Sequence, residues 1–153
     1  MTSPTRCARV DASAYVAMAF NEPHGQEIAR RLEGAAVYAP TLLKFELANA
    51  AWKKARRDPA HRAAVLRALT LALDPCWGIN WRDVDPADTV LIALATGLTA
   101  HDSAYVALAG LLGAELVTLD EGIAGARVRR PFRLQPSAAH GPGGIIRPQR
   151  RCG

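Results

Sequence analysis

The sequence predicts an α/β domain with a largely parallel sheet covered by helices, and three observations predict it. Short apolar segments such as Ala8–Val10 and Glu115–Leu119 alternate with longer segments of helical periodicity, the pattern of β-α-β units. The helical segments carry recognisable start and stop residues: Pro40-Thr41, Asp58-Pro59, Asp85-Pro86 and Thr99. Finally, 153 residues that are 50% hydrophobic and 22% charged suit one domain with a sizeable core.

In chain order, Ala8–Val10 reads as a strand end and is followed directly by Asp11. Ser13–Phe20 reads as a helix stopped near Asn21 and Pro23, and residues 25–34 as a second helix closed by Gly34. Ala35–Pro40 is a second strand. A long helix then starts at Pro40-Thr41 and runs to Arg57, where Asp58-Pro59 ends it. His61–Leu73 forms another helix, and Cys76–Trp81 reads as a strand after Pro75. Asp85 caps a helix that Pro86 opens and that reaches about Thr96. Thr99 and Asp102 have the spacing of a capping box at the head of a further helix. The strand Glu115–Leu119 follows, and a last short strand is expected around Val128–Leu134. The expected organisation is a domain over residues 1–135 and a flexible Pro-, Gly- and Arg-rich tail over 136–153.

Composition excludes several classes. The longest uncharged apolar stretch, Tyr105–Ala114, is about half the length needed to cross a bilayer and contains Gly110 and Gly113. No apolar run of signal-peptide type precedes Asp11, so a cytoplasmic protein with no membrane association is expected. Cys7, Cys76 and Cys152 are odd in number and widely spaced, which argues against a disulfide framework or a zinc site. His24, His61, His101 and His140 share no metal-ligand spacing, and His101 reads as a surface residue at a helix start. The net charge of +5 is unevenly placed: all 14 acidic groups lie within residues 1–121, which carry a net −2, while residues 122–153 hold seven arginines and no acid. A basic tail is either a solvated segment or a contact for an anionic partner, nucleic acid foremost.

Four carboxylates carry the chemistry. Asp11 and Asp120 each follow a strand, and ligands in open parallel sheets bind beyond the carboxyl ends of the strands. Asp102 shares a helix face with Tyr105, Val106 and Ala109, a face that should turn toward the sheet. A carboxylate there is costly unless it is paired, hydrogen-bonded or bound to a metal. Each aspartate taken alone is also a plausible helix cap or turn residue, so caps and a shared site both remain open on this evidence. Glu46 falls on a polar stripe with Asn49, Lys53 and Arg57, which suits either a solvated glutamate or an acid beside cations that contact a phosphate backbone. Acids clustered on one edge repel unless a divalent cation lies among them, and oxygen ligands suit Mg²⁺ or Mn²⁺. Such ions support phosphodiester hydrolysis. Ser13 and Thr118, each two residues from an aspartate, are either ordinary local residues or hydroxyls that support the acids.

The segments VDASAYVAMAF, APTLLKFELANAAWKKARR, LTAHDSAYVALAG and AELVTLDEGIA, in this order, resemble the PIN-domain ribonucleases, and most closely VapC-type toxins of toxin–antitoxin pairs. The resemblance spans about Val10 to Phe132 and implies a three-layer sandwich around a mostly parallel sheet. It further implies that Asp11, Glu46, Asp102 and Asp120 form a Mg²⁺ or Mn²⁺ site supported by Ser13 and Thr118. The implied activity is RNA cleavage by metal-activated water, leaving 3′-hydroxyl and 5′-phosphate ends. The implied partners are RNA, a cognate VapB-like antitoxin and a second copy of the chain. His101 stands where a tyrosine is common in the family, and the basic tail is longer than in many members.

Two other enzyme readings fit less well. A haloacid-dehalogenase pattern wants an acid where Ser13 stands, and a receiver domain wants a late lysine, whereas none follows Lys54. A non-catalytic RNA-binding module that uses the basic tail is the alternative outside enzyme chemistry.

Overall fold

Four short strands give the molecule its centre. The structure, a computed structural model, describes residues 6–113 and 115–125. Strand β1 (Cys7–Val10) is buried from its second residue onward and pairs in parallel with β2 (Ala36–Pro40) on one side and with β4 (Glu115–Val117) on the other. Strand β3 (Ile79–Arg82) extends β2, also in parallel, giving the order β3-β2-β1-β4. A chain that builds the sheet from β1 outward to β3 must cross back over it to place β4. The strand order therefore reverses between β1 and β4, where a crevice opens at the carboxyl ends of the strands.

The helices follow from these connections. Between β1 and β2 lie α1 (Ala12–Ala19) and α2 (Gly25–Leu32); between β2 and β3 lie α3 (Leu42–Arg57) and α4 (Arg62–Ala72). They share a core with Ala8, Val10, Val37 and Ala39 of the sheet. On α3 the buried residues Leu43, Leu47 and Ala51 recur every four positions, the spacing of one helix face. Tyr15 of α1 is fully buried and its hydroxyl donates to the Ala72 carbonyl at 2.7 Å, tying α1 to the end of α4. The return crossover supplies α5 (Pro86–Thr96) and α6 (Ala100–Leu112), joined through the left-handed Gly97, φ 76°. These two pack beneath Ile123 of the terminal helix α7 (Glu121–Gly125), in a second cluster with Val106 and Ala107. The result is helices, sheet, helices: the three layers expected. Among the described residues, no single helix is long and apolar enough to cross a membrane, and α5 and α6 meet at a 103° bend.

Two strand boundaries differ from expectation, each for a local reason. The segment Cys76–Trp81 is not all strand. The Asp74 carboxylate accepts from the Cys76 amide at 2.8 Å and closes a 3₁₀ turn over Pro75–Trp77, so pairing begins only at Ile79, after Gly78 at φ 70°. Strand β4 stops at Val117 instead of Leu119 because the next amides turn to side chains. Leu119 N–H donates to Ser13 Oγ and Asp120 N–H to Thr118 Oγ1, both at 2.9 Å. Likewise Pro59–His61 is a 3₁₀ turn and α4 starts at Arg62. The strand expected at Val128–Leu134 and the tail over 136–153 lie outside the described residues.

Gly25 opens α2 against the backbone of α1. A Cβ built there would lie 2.9 Å from the Ala17 carbonyl carbon and closer still to its oxygen. Gly25→Ala must push the two helices apart, and we expect a loss of about 1–3 kcal/mol. A Gly25→Ala protein that melts within a degree of wild type would show that the contact is slack.

Candidate active site

The end of β1 delivers Asp11 into the crevice, and the chain there is committed to holding it. Asp11 N–H donates to the Val117 carbonyl at 3.2 Å, the last bond between β1 and β4. Its extended backbone (φ −90°, ψ 177°) then makes it the N-cap of α1, where Oδ1 accepts from Ala14 N–H at 3.0 Å. Ser13 Oγ donates to the same carboxylate at 2.8 Å, and Thr118 Oγ1 donates to Oδ2 at 2.6 Å. At 2% exposure Asp11 is buried, and these donors replace the water it has lost. The cap reading of Asp11 therefore holds, and the capping side chain is at the same time a buried carboxylate at the end of β1. Ser13 and Thr118 are more than local residues: each bridges the α1 start to the β4 end through the carboxylate.

Three further acids reach this edge from separate elements. Asp120 caps α7, with Oδ1 accepting from Gly122 N–H at 2.8 Å and Ile123 N–H at 3.2 Å. Asp102 lies in the first turn of α6. Thr99 Oγ1 accepts from Asp102 N–H at 3.1 Å and donates to its Oδ2 at 2.6 Å. The face predicted for it holds: Tyr105 and Val106 are buried, and Ala109 and Asp102 half-buried. Glu46 departs from the solvated reading. It is half-buried, and the Tyr105 hydroxyl, reaching across from α6, donates to its Oε2. The polar stripe of α3 is solvated at Lys53 and Arg57, but at Glu46 the Tyr105 side chain from α6 lies against it. Tyr105 is the residue that sequence reasoning placed only in the core. Its position one turn after Asp102 was the available signal.

Electrostatics couple these groups. Burial raises the Asp11 carboxyl above the usual carboxylate range, against the lowering effect of the Thr118, Ala14 and Ser13 hydrogen bonds, and the Asp120 charge adds to the rise. Burial also raises Glu46; its bond from Tyr105 and the neighbouring His101 oppose this, while Asp102 and Asp11 reinforce it. Tyr105 is held firmly protonated, first by burial and then by Glu46, so it remains a donor. Asp11 thus feels the charge of Asp120, and Glu46 the charges of Asp102 and Asp11.

Lys53 and Arg57 are exposed on α3, about 10 and 16 Å along the helix axis from Glu46. Lys54, between them, is engaged with Glu22 and lies 5.5 Å from the centre of the Phe20 ring.

The donor set fits a hard divalent cation: every group is a carboxylate or hydroxyl oxygen, and the acids raise one another's cost of ionisation in a way a cation would relieve. Among the described residues, no three His, Cys, Asp or Glu side chains lie close enough together to hold a metal ion between them. Mg²⁺ does not need three, since it keeps several waters and takes one or two carboxylates.

Known proteins show which family the chain falls in. The PIN domain family model matches residues 9–128, a span that holds all four acids. Ribonuclease VapC3 of Pyrobaculum aerophilum is 33% identical over 118 residues, 75% of this chain and 90% of that protein. Exonuclease VapC9 of the same organism is 35% identical over 112 residues, 72% of this chain and 78% of that protein. The crystal structure of PAE2754, also from Pyrobaculum aerophilum, aligns with a TM-score of 0.61 at 30% identity, covering 78% of this chain and 84% of that one. The chain belongs to the PIN-domain family. Within that family, the relatives it matches are VapC proteins.

The raised acids give a stability prediction with a definite sign. Asp11 and Glu46 have higher pKa values folded than unfolded, so folding favours their neutral forms. The stability they contribute is present below the ordinary carboxylate range and is lost as pH rises through the raised values. In metal-free buffer, Asp11→Asn should therefore melt higher than wild type at pH 7, with the gap closing toward pH 4. Thermal melts across that range test this, and a wild type that is the more stable protein at pH 7 would refute it.

Proposed function

We propose that this protein is a Mg²⁺- or Mn²⁺-dependent endoribonuclease, the toxin of a toxin–antitoxin pair, neutralised by a VapB-like antitoxin. One observation carries the reading: Asp11 is buried and oriented by three donors at the end of β1, within electrostatic reach of Asp120 and Glu46. The ribonuclease name of a relative that this chain covers over nine-tenths of its length supports it.

In this reading Asp11 and Asp102 are the principal metal ligands, and Glu46 and Asp120 complete the acidic site. When bound, the cation supplies an activated water and neutralises charge on the phosphate oxygens during phosphodiester hydrolysis. Ser13 and Thr118 hold both oxygens of Asp11 in place. Tyr105 holds Glu46 facing the site and keeps it an acceptor, so that Glu46 and Asp120 orient the attacking water. Products with 3′-hydroxyl and 5′-phosphate ends are expected.

Labelled single-stranded RNA, tRNA and a circular RNA, incubated with Mg²⁺, Mn²⁺ or EDTA, test the activity. Cutting of the circle requires an endonuclease, since it offers no end. Asp11→Asn and Asp102→Asn should each lower the metal-dependent rate by more than about 100-fold. Tyr105→Phe, which removes only the hydroxyl that positions Glu46, should lower it by about 10- to 100-fold. Equal residual cutting by the two Asn variants and wild type would assign the activity to a contaminant.

We also propose a homodimer. The outward face of α5 exposes Val90, Leu91 and Leu94, the last at 80%, an apolar surface suited to a second copy. Light scattering should give twice the chain mass for wild type and the monomer mass for Leu94→Asp; a monomeric wild type at tens of micromolar would end this part of the proposal.

A further inference from the structure

Immediately behind the first turn of α6 lies a cavity of about 330 Å³ that the proposed reaction leaves unused. The end of β2, the first turns of α3, α5 and α6, and the segment after β3 enclose it. Its walls include Pro40, Val84, Pro86, Ala104 and Val90, the last also at the edge of the α5 face proposed for the dimer, and its polar groups are Thr41, Thr89 and His101. Apolar walls with a few polar groups are the chemistry of a small planar ligand's site. The Thr41 hydroxyl donates to Asp83 Oδ1 at 2.9 Å and that of Thr89 to the Pro86 carbonyl at 2.6 Å, which leaves lone pairs on both oxygens. His101 is exposed at the rim. It is also the neighbour of Asp102, so one turn of helix presents the cavity on one side and the carboxylates on the other.

Two cations lie at the same end of the sheet as the cavity. Lys44, one turn into α3 from Thr41, stacks 4.9 Å from the centre of the Trp81 ring. Arg82, whose carbonyl accepts from Thr41 N–H at 3.0 Å, stacks 5.6 Å from that of Tyr38. The aromatic rings hold both cations at the end of the β2–β3 pair, adjacent to the cavity-lining Thr41 and Val84. Sequence-specific proteins read single-stranded RNA by splaying a base out of the stack into such a pocket while cations track the phosphates.

We propose that this cavity is a subsite for one unstacked nucleobase of the RNA beside the phosphate to be cleaved, and that His101 at its rim selects which base enters. The substrate it names rests on the nuclease reading above. The cavity, not the carboxylates, then sets the nucleotide preference next to the cut.

The test uses single-stranded RNA oligonucleotides with one abasic residue moved stepwise across the cut. Cleavage in Mn²⁺ and binding by fluorescence anisotropy in EDTA are measured for wild type, His101→Ala and two cavity-filling variants, Ala104→Leu from the wall and Ala100→Trp from the exposed rim; whichever of the two keeps the wild-type melting temperature decides. One abasic position within two nucleotides of the cut should lower wild-type kcat/KM on the order of tenfold. The filling variant should be insensitive to that position, and His101→Ala should change the preferred base there and nowhere else. If metal-dependent cutting persists but abasic residues affect wild type and the filling variant alike, the subsite is overturned and the nuclease stands. If wild type cuts nothing yet binding shows one sensitive position that filling erases, the subsite stands and the nuclease reading falls. If neither cutting nor binding shows such a position, both fall. A filling variant that retains base sensitivity but no longer self-associates would assign the cavity to a protein contact and overturn the proposal.

Discussion

Burying the carboxylate of Asp11 is the constraint around which the rest of the structure is arranged. An ionised acid removed from water at the end of the central strand must be given donors, and here they come from both elements that meet there. Ala14 N–H and Ser13 Oγ belong to α1; Thr118 Oγ1 belongs to the chain leaving β4. The same hydroxyls are themselves used by Leu119 and Asp120 amides, so the network ends β4, turns the chain and sets Asp120 at the head of α7. The cost of burial is not fully met, which is why Asp11 sits above the usual carboxylate range. A carboxylate held in this way is unfavourable when ionised by itself, a cost that a bound cation would relieve.

Topology places the remaining acids around it. Because the strand order reverses between β1 and β4, the crevice at their carboxyl ends is open to α3 from one layer and to α6 from the other. Glu46 and Asp102 thereby approach from opposite sides of the sheet, and Tyr105 joins them by reaching from α6 to α3. The bond from tyrosine to glutamate is a hinge-pin between layers as well as a feature of the site. The cavity behind His101 arises from the same meeting of layers, since the starts of α3, α5 and α6 cannot pack closely around the end of β2.

Much of this was legible along the chain. Strands followed at once by aspartate, proline one residue after a capping aspartate, and a threonine three residues before Asp102 are local signals with local causes, and they located β1, α5 and α6 to within a residue or two. The misplacements were local competitions. At Cys76 the Asp74 side chain captured an amide and made a turn of what reads as strand; at Thr118 side-chain oxygens ended a strand early. Glu46 was harder. Its stripe is polar for three turns of α3, and nothing in α3 says that α6 covers the first of them.

The sequence by itself determined the helices and strands, the parallel sheet, and which carboxylates stand at element ends, because caps, prolines and apolar periodicity act within a few residues of themselves. Whether those carboxylates belong to one site was beyond it, since residues 11, 46, 102 and 120 are joined only by the crossing of the chain from β3 over the sheet to β4. Tertiary structure decided that Asp11 is buried while Asp120 is exposed, that Tyr105 spends its hydroxyl on Glu46, and that His101 borders a cavity. Burial and electrostatic coupling depend on distance in space, and only the packed layers fix that distance.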